Sequence, residues 1–210
     1  LNQTDFLNTL AQKGYDIGFG AKKNFSSYDI LNKLPSWVGF ISLVVGIVQI
    51  AYENIPFNKE LSIILIFAAI GILYTEGFKS KIEDFHNEGV RLTMLYNRIR
   101  DLYTEAKGDT NFNFVNYDQR YQAILTEFYS NTISKQVFMS QWFAHFKFFA
   151  EMQVDWIEKE LKLKWYKDKV PNSLKTTVLI IIIIIIIILI YGYSPNIQGL
   201  YNQCNSTKSN

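Results

Sequence analysis

The chain has 210 residues, a net charge of +2 and one cysteine, Cys204. A near-neutral balance gives no bulk-charge case for nucleic-acid binding, so direct nucleic-acid contact is not indicated. A lone cysteine leaves neither an internal disulfide nor a Cys cluster for zinc, and with His86 and His145 as the only histidines there is no histidine-rich metal site to read.

The opening residues, LNQTDFLNTL, lack a basic stretch followed by an apolar one, so no cleavable signal peptide is expected in them. Residues 1–35 are expected to form an N-terminal cytoplasmic or interfacial helical segment. Its periodicity is weak over residues 5–13, and Gly14, Gly18 and Gly20 predict a flexible turn region. Ser26-Ser27-Tyr28-Asp29 has the form of a capping box, opening a short helix that leads to Pro35.

Residues 36–52 (SWVGFISLVVGIVQIAY) are the first uncharged span, and 61–75 (LSIILIFAAIGILYT) the second. The eight residues between them contain Pro56, which predicts a transmembrane helical hairpin over 36–78. A third span, 176–193, holds nine consecutive isoleucines, 180–188. A segment apolar all round belongs in lipid, not on a water-facing helix, and eighteen helical residues reach about 27 Å, close to the hydrocarbon thickness. The chain is therefore expected to be a membrane protein, with Trp37, Tyr52, Tyr74, Tyr191 and Tyr193 anchoring span ends. Lysines and arginines number four before the first span, one in the hairpin loop, fifteen between Lys79 and Lys175, and one in the tail. Positive residues stay inside, so the N-terminus and middle are expected in the cytoplasm, the hairpin tip and the tail 194–210 outside.

Apolar or small residues continue past the second span at Phe78, Ile82, Phe85, Gly89, Leu92, Tyr96 and Ile99, in steps of three and four. This is the spacing of a coiled-coil seam, and it predicts one continuous helix over 61–107. The seam serves either an intramolecular bundle or contact between subunits, and both readings stay open. Gly108-Asp109 predicts a stop, followed by a helix over 117–131 with Tyr117, Tyr121, Ile124 and Phe128 on one face. A last long helix is expected over 134–169, carrying the aromatic stripe Phe138, Trp142, His145, Phe149 and Trp156, until Pro171 breaks it. The expected fold is an all-α membrane protein: a hairpin, a cytoplasmic helical bundle over 79–173 with long coiled-coil-like helices, and a third, C-terminal transmembrane helix over 174–193.

Signatures of chemistry are missing: there is no Gly-rich phosphate loop, nucleophile elbow or metal-ligand spacing, so neither an enzyme nor a cofactor is expected. His145 reads as a pH-sensitive or ligand-contacting group or as a core histidine in an aromatic stripe, the second being preferred. Lys79, Lys81, Arg91, Arg98 and Arg100 are candidates to contact an anionic signal or lipid headgroups, although solvated helix faces look the same. Gln49 is the one strongly polar side chain well inside a span, and with Ser42 and Gly46 it forms the candidate pore-lining set.

Several stretches together carry a family resemblance: Gly14 to Lys23 (GYDIGFGAKK), Tyr28-Asp29-Ile30, the Pro35-led span with its tight hairpin, Gly89-Val90-Arg91-Leu92-Thr93, ISKQVFMSQWFAHFKFF at 133–149, Asp155-Trp156-Ile157 and Asp168-Lys169-Val170-Pro171. The chain resembles the SLATT family, the SMODS- and SLOG-associating two-transmembrane effectors of bacteria. The resemblance implies a membrane effector of antiviral conflict systems that permeabilises or depolarises the inner membrane of the infected cell. It also implies an upstream nucleotide second messenger or sensor protein, and it brings no catalytic residues. The third span departs from a two-helix pattern. The leading expectation is a homo-oligomer in the lipid bilayer whose bundle gates its transmembrane helices; the alternative is a non-conducting scaffold that recruits a soluble partner through the aromatic-rich bundle.

Overall fold

The computed structural model describes residues 1–52, 56–131, 136–187 and 189. The end of the expected third span and the expected tail lie outside the described residues. The chain forms two units, Leu1–Lys164 and Trp165–Asn210. All regular structure among the described residues is helical.

Helix α1 runs unbroken over Gln3–Ala51, 49 residues and about 74 Å. Asn2 caps it, its side chain accepting a hydrogen bond from the Asp5 N–H at 2.8 Å. The turn region expected at Gly14–Gly20 is thus corrected to helix, and the separate short helix before Pro35 is part of the same rod. The buried positions explain why. Leu7, Leu10, Gly14, Ile17, Ala21 and Asn24 recur in steps of three and four and line one face. On that face the glycines act by lacking a side chain. A Cβ on Gly18 would stand 2.8 Å from Tyr96 Cδ2 and 2.9 Å from Phe148 Cε2. Pro35 sits inside the helix where the apolar half begins, at the loss of one backbone hydrogen bond.

Helix α2, Asn58–Glu76, returns as the second arm of the hairpin. It does not continue as one rod into the bundle, which corrects the single helix expected over 61–107. After Gly77 the hydrogen bonds shorten to a three-residue pattern, Phe78 N–H to Thr75 O at 3.0 Å and Lys81 N–H to Phe78 O at 2.8 Å. This 3-10 turn, Lys79–Lys81, leads into α3, Ile82–Gly108. Gly77 is a poor helix former at the joint, and the turn lets α3 aim its own stripe at α1.

α1 and α3 pack antiparallel. A Cβ on Gly89 would meet the Phe25 ring at 3.0 Å, Gly18 faces Tyr96, and the Gln3 amide donates to Ala106 O at 2.6 Å at the far end. Phe85, Leu92, Leu95, Tyr96, Ile99, Leu102 and Tyr103 are buried along α3. Complete burial of Phe85 or Ile99 contributes about 2 kcal/mol each. Helix α4, Phe114–Ser130, folds back over this pair, with Tyr117, Tyr121 and Ile124 inward as expected. Phe6 joins it edge-on to Phe114 at 5.3 Å and to Tyr121 at 5.8 Å.

The long last helix expected over 134–169 is corrected to three short ones, its first two residues lying outside the described set. They are α5 (Ser140–Glu151), α6 (Asp155–Leu161) and α7 (Trp165–Asp168). The first break has a visible partner: Tyr96 OH donates to Gln153 O at 2.8 Å, supplying the hydrogen bond that the helix gives up. The second falls at Lys162, which takes a left-handed conformation with φ 50°. The chain then buries Phe148 from α5 and Val154 and Ile157 after the break against one core.

The second unit is small in its described part. It holds α7 and an apolar helix α8, Asn172–Ile187. Pro171 starts α8, and the Lys175 ammonium lies 4.6 Å from the Tyr166 ring centre.

Candidate functional site

The hairpin and the bundle differ in how they treat their apolar residues. Inside the apolar part of α1 and along α2 most large side chains are exposed, among them Phe40, Ile47, Ile64 and Phe67. Both helices are long and apolar enough to cross a membrane. The half-buried positions form one face on each arm: Val38, Ser42, Gly46 and Gln49 on α1, and Ser62, Leu65, Ala68 and Ile72 on α2. At the tip, the Gln49 amide donates to Ser62 Oγ at 3.2 Å and lies 3.4 Å from Asn58 O. Gln49 thus ties one arm to the other. Ser42 and Gly46 lie on the same face, and a Cβ at Gly46 would meet nothing within 4 Å.

The seam residues divide at the joint. Phe85, Gly89, Leu92, Tyr96 and Ile99 are buried under the chain's own α1. Phe78 and Ile82 are half-buried and pack with Leu31, Phe85 and Val137 in a second, smaller cluster between bundle and hairpin. A second copy reaches the five buried positions only by displacing α1.

The candidate cations do not converge on one patch. Lys79 pairs with Glu76 at 3.3 Å on the surface, and Arg98 with Glu127 at 2.5 Å. Arg91 is taken up by structure. Its guanidinium holds Glu88, itself buried, at 2.7 Å, and donates to the carbonyls of Glu127 at 2.6 Å and Asn131 at 3.0 Å. It therefore caps the C-terminal end of α4, where carbonyls are bare and the helix dipole is negative. Lys81 is half-buried in the 3-10 turn. Two of the five line open clefts: Arg91 one of about 300 Å³ with Asp84, Asn87 and Glu88, and Arg100, which donates to Gln153 Oε1 at 3.0 Å, one of about 470 Å³ between α1, α3 and the end of α5. Lys22 faces the same cleft and pairs loosely with Glu151 at 3.8 Å. Lys22 escaped the sequence reading because Gly14, Gly18 and Gly20 read as a turn region, which gives Lys22 no helix face to belong to.

The aromatic stripe is split. His145 is buried, 4.7 Å from the Phe19 ring in an edge-on arrangement. Phe149 is half-buried beside it. Trp156 packs on Tyr103 at 4.7 Å and donates its indole N–H to Tyr96 OH at 3.1 Å. The opposite end differs: Phe138 is 70% exposed and does not join the core, which corrects its place in the stripe.

One polar node at the foot of the bundle went unread. Asp29, near the membrane end of α1, accepts from Lys147 of α5 and pairs with Lys33 at 2.6 Å. Burial pushes its carboxyl up, but the hydrogen bonds and charges of Lys147 and Lys33 outweigh this and hold it below its ordinary value. Ser27 adds a second tie, donating to Gln136 Oε1 at 2.9 Å. No group of three potential metal ligands occurs among the described residues.

The class of protein that combines a helical bundle with a hairpin of two helices long and apolar enough to cross a membrane is given by the family comparison. The family model for SMODS and SLOG-associating 2TM effector domain 6 matches residues 1–178, and the chain belongs to that family. Neither the curated proteins nor the solved structures contain a match. As a member, the protein is a two-transmembrane effector associated with SMODS and SLOG defence systems.

Proposed function

We propose that the protein is a non-catalytic, homo-oligomeric effector of bacterial antiviral defence that permeabilises or depolarises the inner membrane. Its N-terminus and bundle face the cytoplasm, the hairpin crosses the bilayer, and α8 begins a third span whose end lies outside the cell. The charge distribution between spans supports this orientation. The nearly bare hairpin supports oligomerisation, since a channel needs more walls than one hairpin supplies. In this reading Ser42, Gly46 and Gln49 line the conducting path once the two arms of each hairpin part and the Gln49–Ser62 bond opens, and the trigger is a nucleotide second messenger or an upstream sensor protein. The Lys22 and Arg100 cleft is where an anionic signal meets α1, α3 and α5 together.

The observation that carries the proposal is the continuity of α1. One rod reaches from the bundle core at Phe6 to the end of the first span at Ala51, while the other arm is jointed at Gly77–Lys81. A shift of α1 in the bundle moves its membrane half as a rigid element, whereas the same shift in α3 is absorbed at the joint. Inserting two glycines between Lys33 and Leu34 breaks the rod below the Asp29 node. The expected result is loss of membrane depolarisation in expressing cells, read with a potential-sensitive dye, with the bundle's melting unchanged. Full depolarisation from the inserted variant sinks the lever. No ion flux from wild-type protein in liposomes, with or without lysate of infected cells, favours the scaffold.

A further inference from the structure

An apolar groove of about 740 Å³ opens where hairpin and bundle meet. Its walls come from three helices and the turn before the last of them: Leu34 of α1, Gly71 and Tyr74 of α2, Phe138 just ahead of α5, and Trp142 and Phe146 on α5. We propose that this groove holds an acyl chain of a phospholipid in the bilayer leaflet next to the bundle, and that the exposed side of α5 rests in that leaflet.

Three observations converge on a lipid chain. First, the groove continues a surface already committed to lipid. Its α2 wall, residues 70–75, forms the last stretch of a membrane-crossing helix, about 9 Å along the axis. Second, the lining offers almost no polar handle. Its polar side-chain atoms are the Tyr74 hydroxyl, the Trp142 indole N–H and the Thr75 hydroxyl, the last of which is spent on Ile72 O at 2.7 Å; the rest of the lining is apolar. A soluble ligand of this size needs a few placed polar groups to orient it, and a dry apolar cavity suits a hydrocarbon. Third, the apolar exposure is one-sided. Phe143 and Phe146, the latter 63% exposed, lie on the outer side of α5, and Phe138, 70% exposed, and Met139 continue this bare surface in the turn before it, while Ala144, His145 and Phe148 on the other side are buried in the bundle. A helix that is buried on one side and bare and aromatic on the other, beside a transmembrane helix, fits the plane of the membrane surface.

The charges near the rim set the selectivity. Lys33 and Lys79 flank the groove in sequence, but Asp29 and Glu76 already hold them. Recognition therefore falls on the chain and not on a particular headgroup.

The test uses the four tryptophans, 37, 142, 156 and 165. Full-length variants that keep a single tryptophan, the others replaced by phenylalanine, are reconstituted in liposomes of phospholipid brominated in the middle of its acyl chains. Trp37, 62% exposed at the start of the first span, is the positive reference, and Trp156, packed against Tyr103, the negative one. Trp142 is expected to be quenched in the manner of Trp37, equally in phosphatidylcholine and phosphatidylglycerol. Gly71→Leu places a side chain in the groove at a position where a Cβ meets nothing within 4 Å, so the helix tolerates it. This variant is expected to lose the Trp142 quenching while Trp37 is unaffected, and Leu34→Phe, filling from the opposite wall, to do the same. An unquenched Trp142 overturns the proposal, because the groove is then filled by protein. Trp142 quenching that survives both filling variants also overturns it, because the lipid is then only at the surface. Quenching confined to one headgroup overturns the selectivity.

Discussion

Glycines in the bundle and glycines in the hairpin do opposite things. In the bundle, Gly14, Gly18 and Gly89 let an aromatic ring lie directly on a helix backbone. In the hairpin, Gly39, Gly46 and Gly71 have nothing within 4 Å of where a Cβ would stand. The first set is consumed by this chain's own fold. The second leaves backbone surface open to lipid or to another copy, where small residues allow close approach. In the bundle these positions are therefore filled by the chain's own rings, and in the hairpin they stay open.

The largest effect that tests this contrast comes from one added side chain on each side of it. Gly18→Val forces two buried rings apart, Tyr96 and Phe148, and is expected to cost about 3 kcal/mol or more. Gly46→Val has open space and is expected to change stability by less than about 0.5 kcal/mol while altering oligomer yield or flux. Thermal melts of both full-length proteins in detergent decide the matter; a Gly18→Val protein that melts like wild type would mean that α1 does not approach α3 and α5 as described.

A smaller effect is expected at the Asp29 node, which joins the two regions. Asp29→Asn leaves Lys147, 13% exposed, without its carboxylate, at a cost of about 2 kcal/mol at neutral pH. The sign of the pH dependence follows from the depressed carboxyl. Its contribution is complete above the ordinary value of 3.8 and is lost as pH falls through the lower folded value. The gap between wild-type and variant melting is expected to close only below pH 3.8. A gap that closes on the neutral side of that value contradicts the assignment. A smaller change than at Asp29 is a gain: Lys162→Gly relieves the left-handed backbone after α6 and is expected to stabilise the bundle by up to about 1 kcal/mol in the same melts.

The two arms of the hairpin were legible because a bilayer demands a long uncharged run, and 36–52 and 61–75 have no other use. The stripes on α3 and α4 were legible from their three-and-four spacing. The first 34 residues were not, since Gly14, Gly18 and Gly20 are turn signals by local chemistry, and only the partner rings of Tyr96, Phe148 and Trp156 make them packing positions. The break after Glu151 depends on a hydroxyl 57 residues away, on Tyr96, and periodicity alone extends a helix across it. Among the candidate site residues, Arg91 was visible as a charge but not as the cap of α4, because its partners are backbone carbonyls of another element. The groove beside α2 was out of reach for a related reason: its walls come from three separate parts of the chain.

The bond from Gln3 to Ala106 joins residues 103 positions apart. During synthesis the N-terminal stretch leaves the ribosome long before its mate on α3 exists. The apolar stripe of Leu7, Leu10 and Ile17 therefore stays uncovered while the hairpin is inserted, and closes only when residues 85–106 follow. Synthesis order thus places the hairpin between the two halves of the α1–α3 core. Until the second half follows, the apolar side of α1 is open to whatever binds nascent apolar helices.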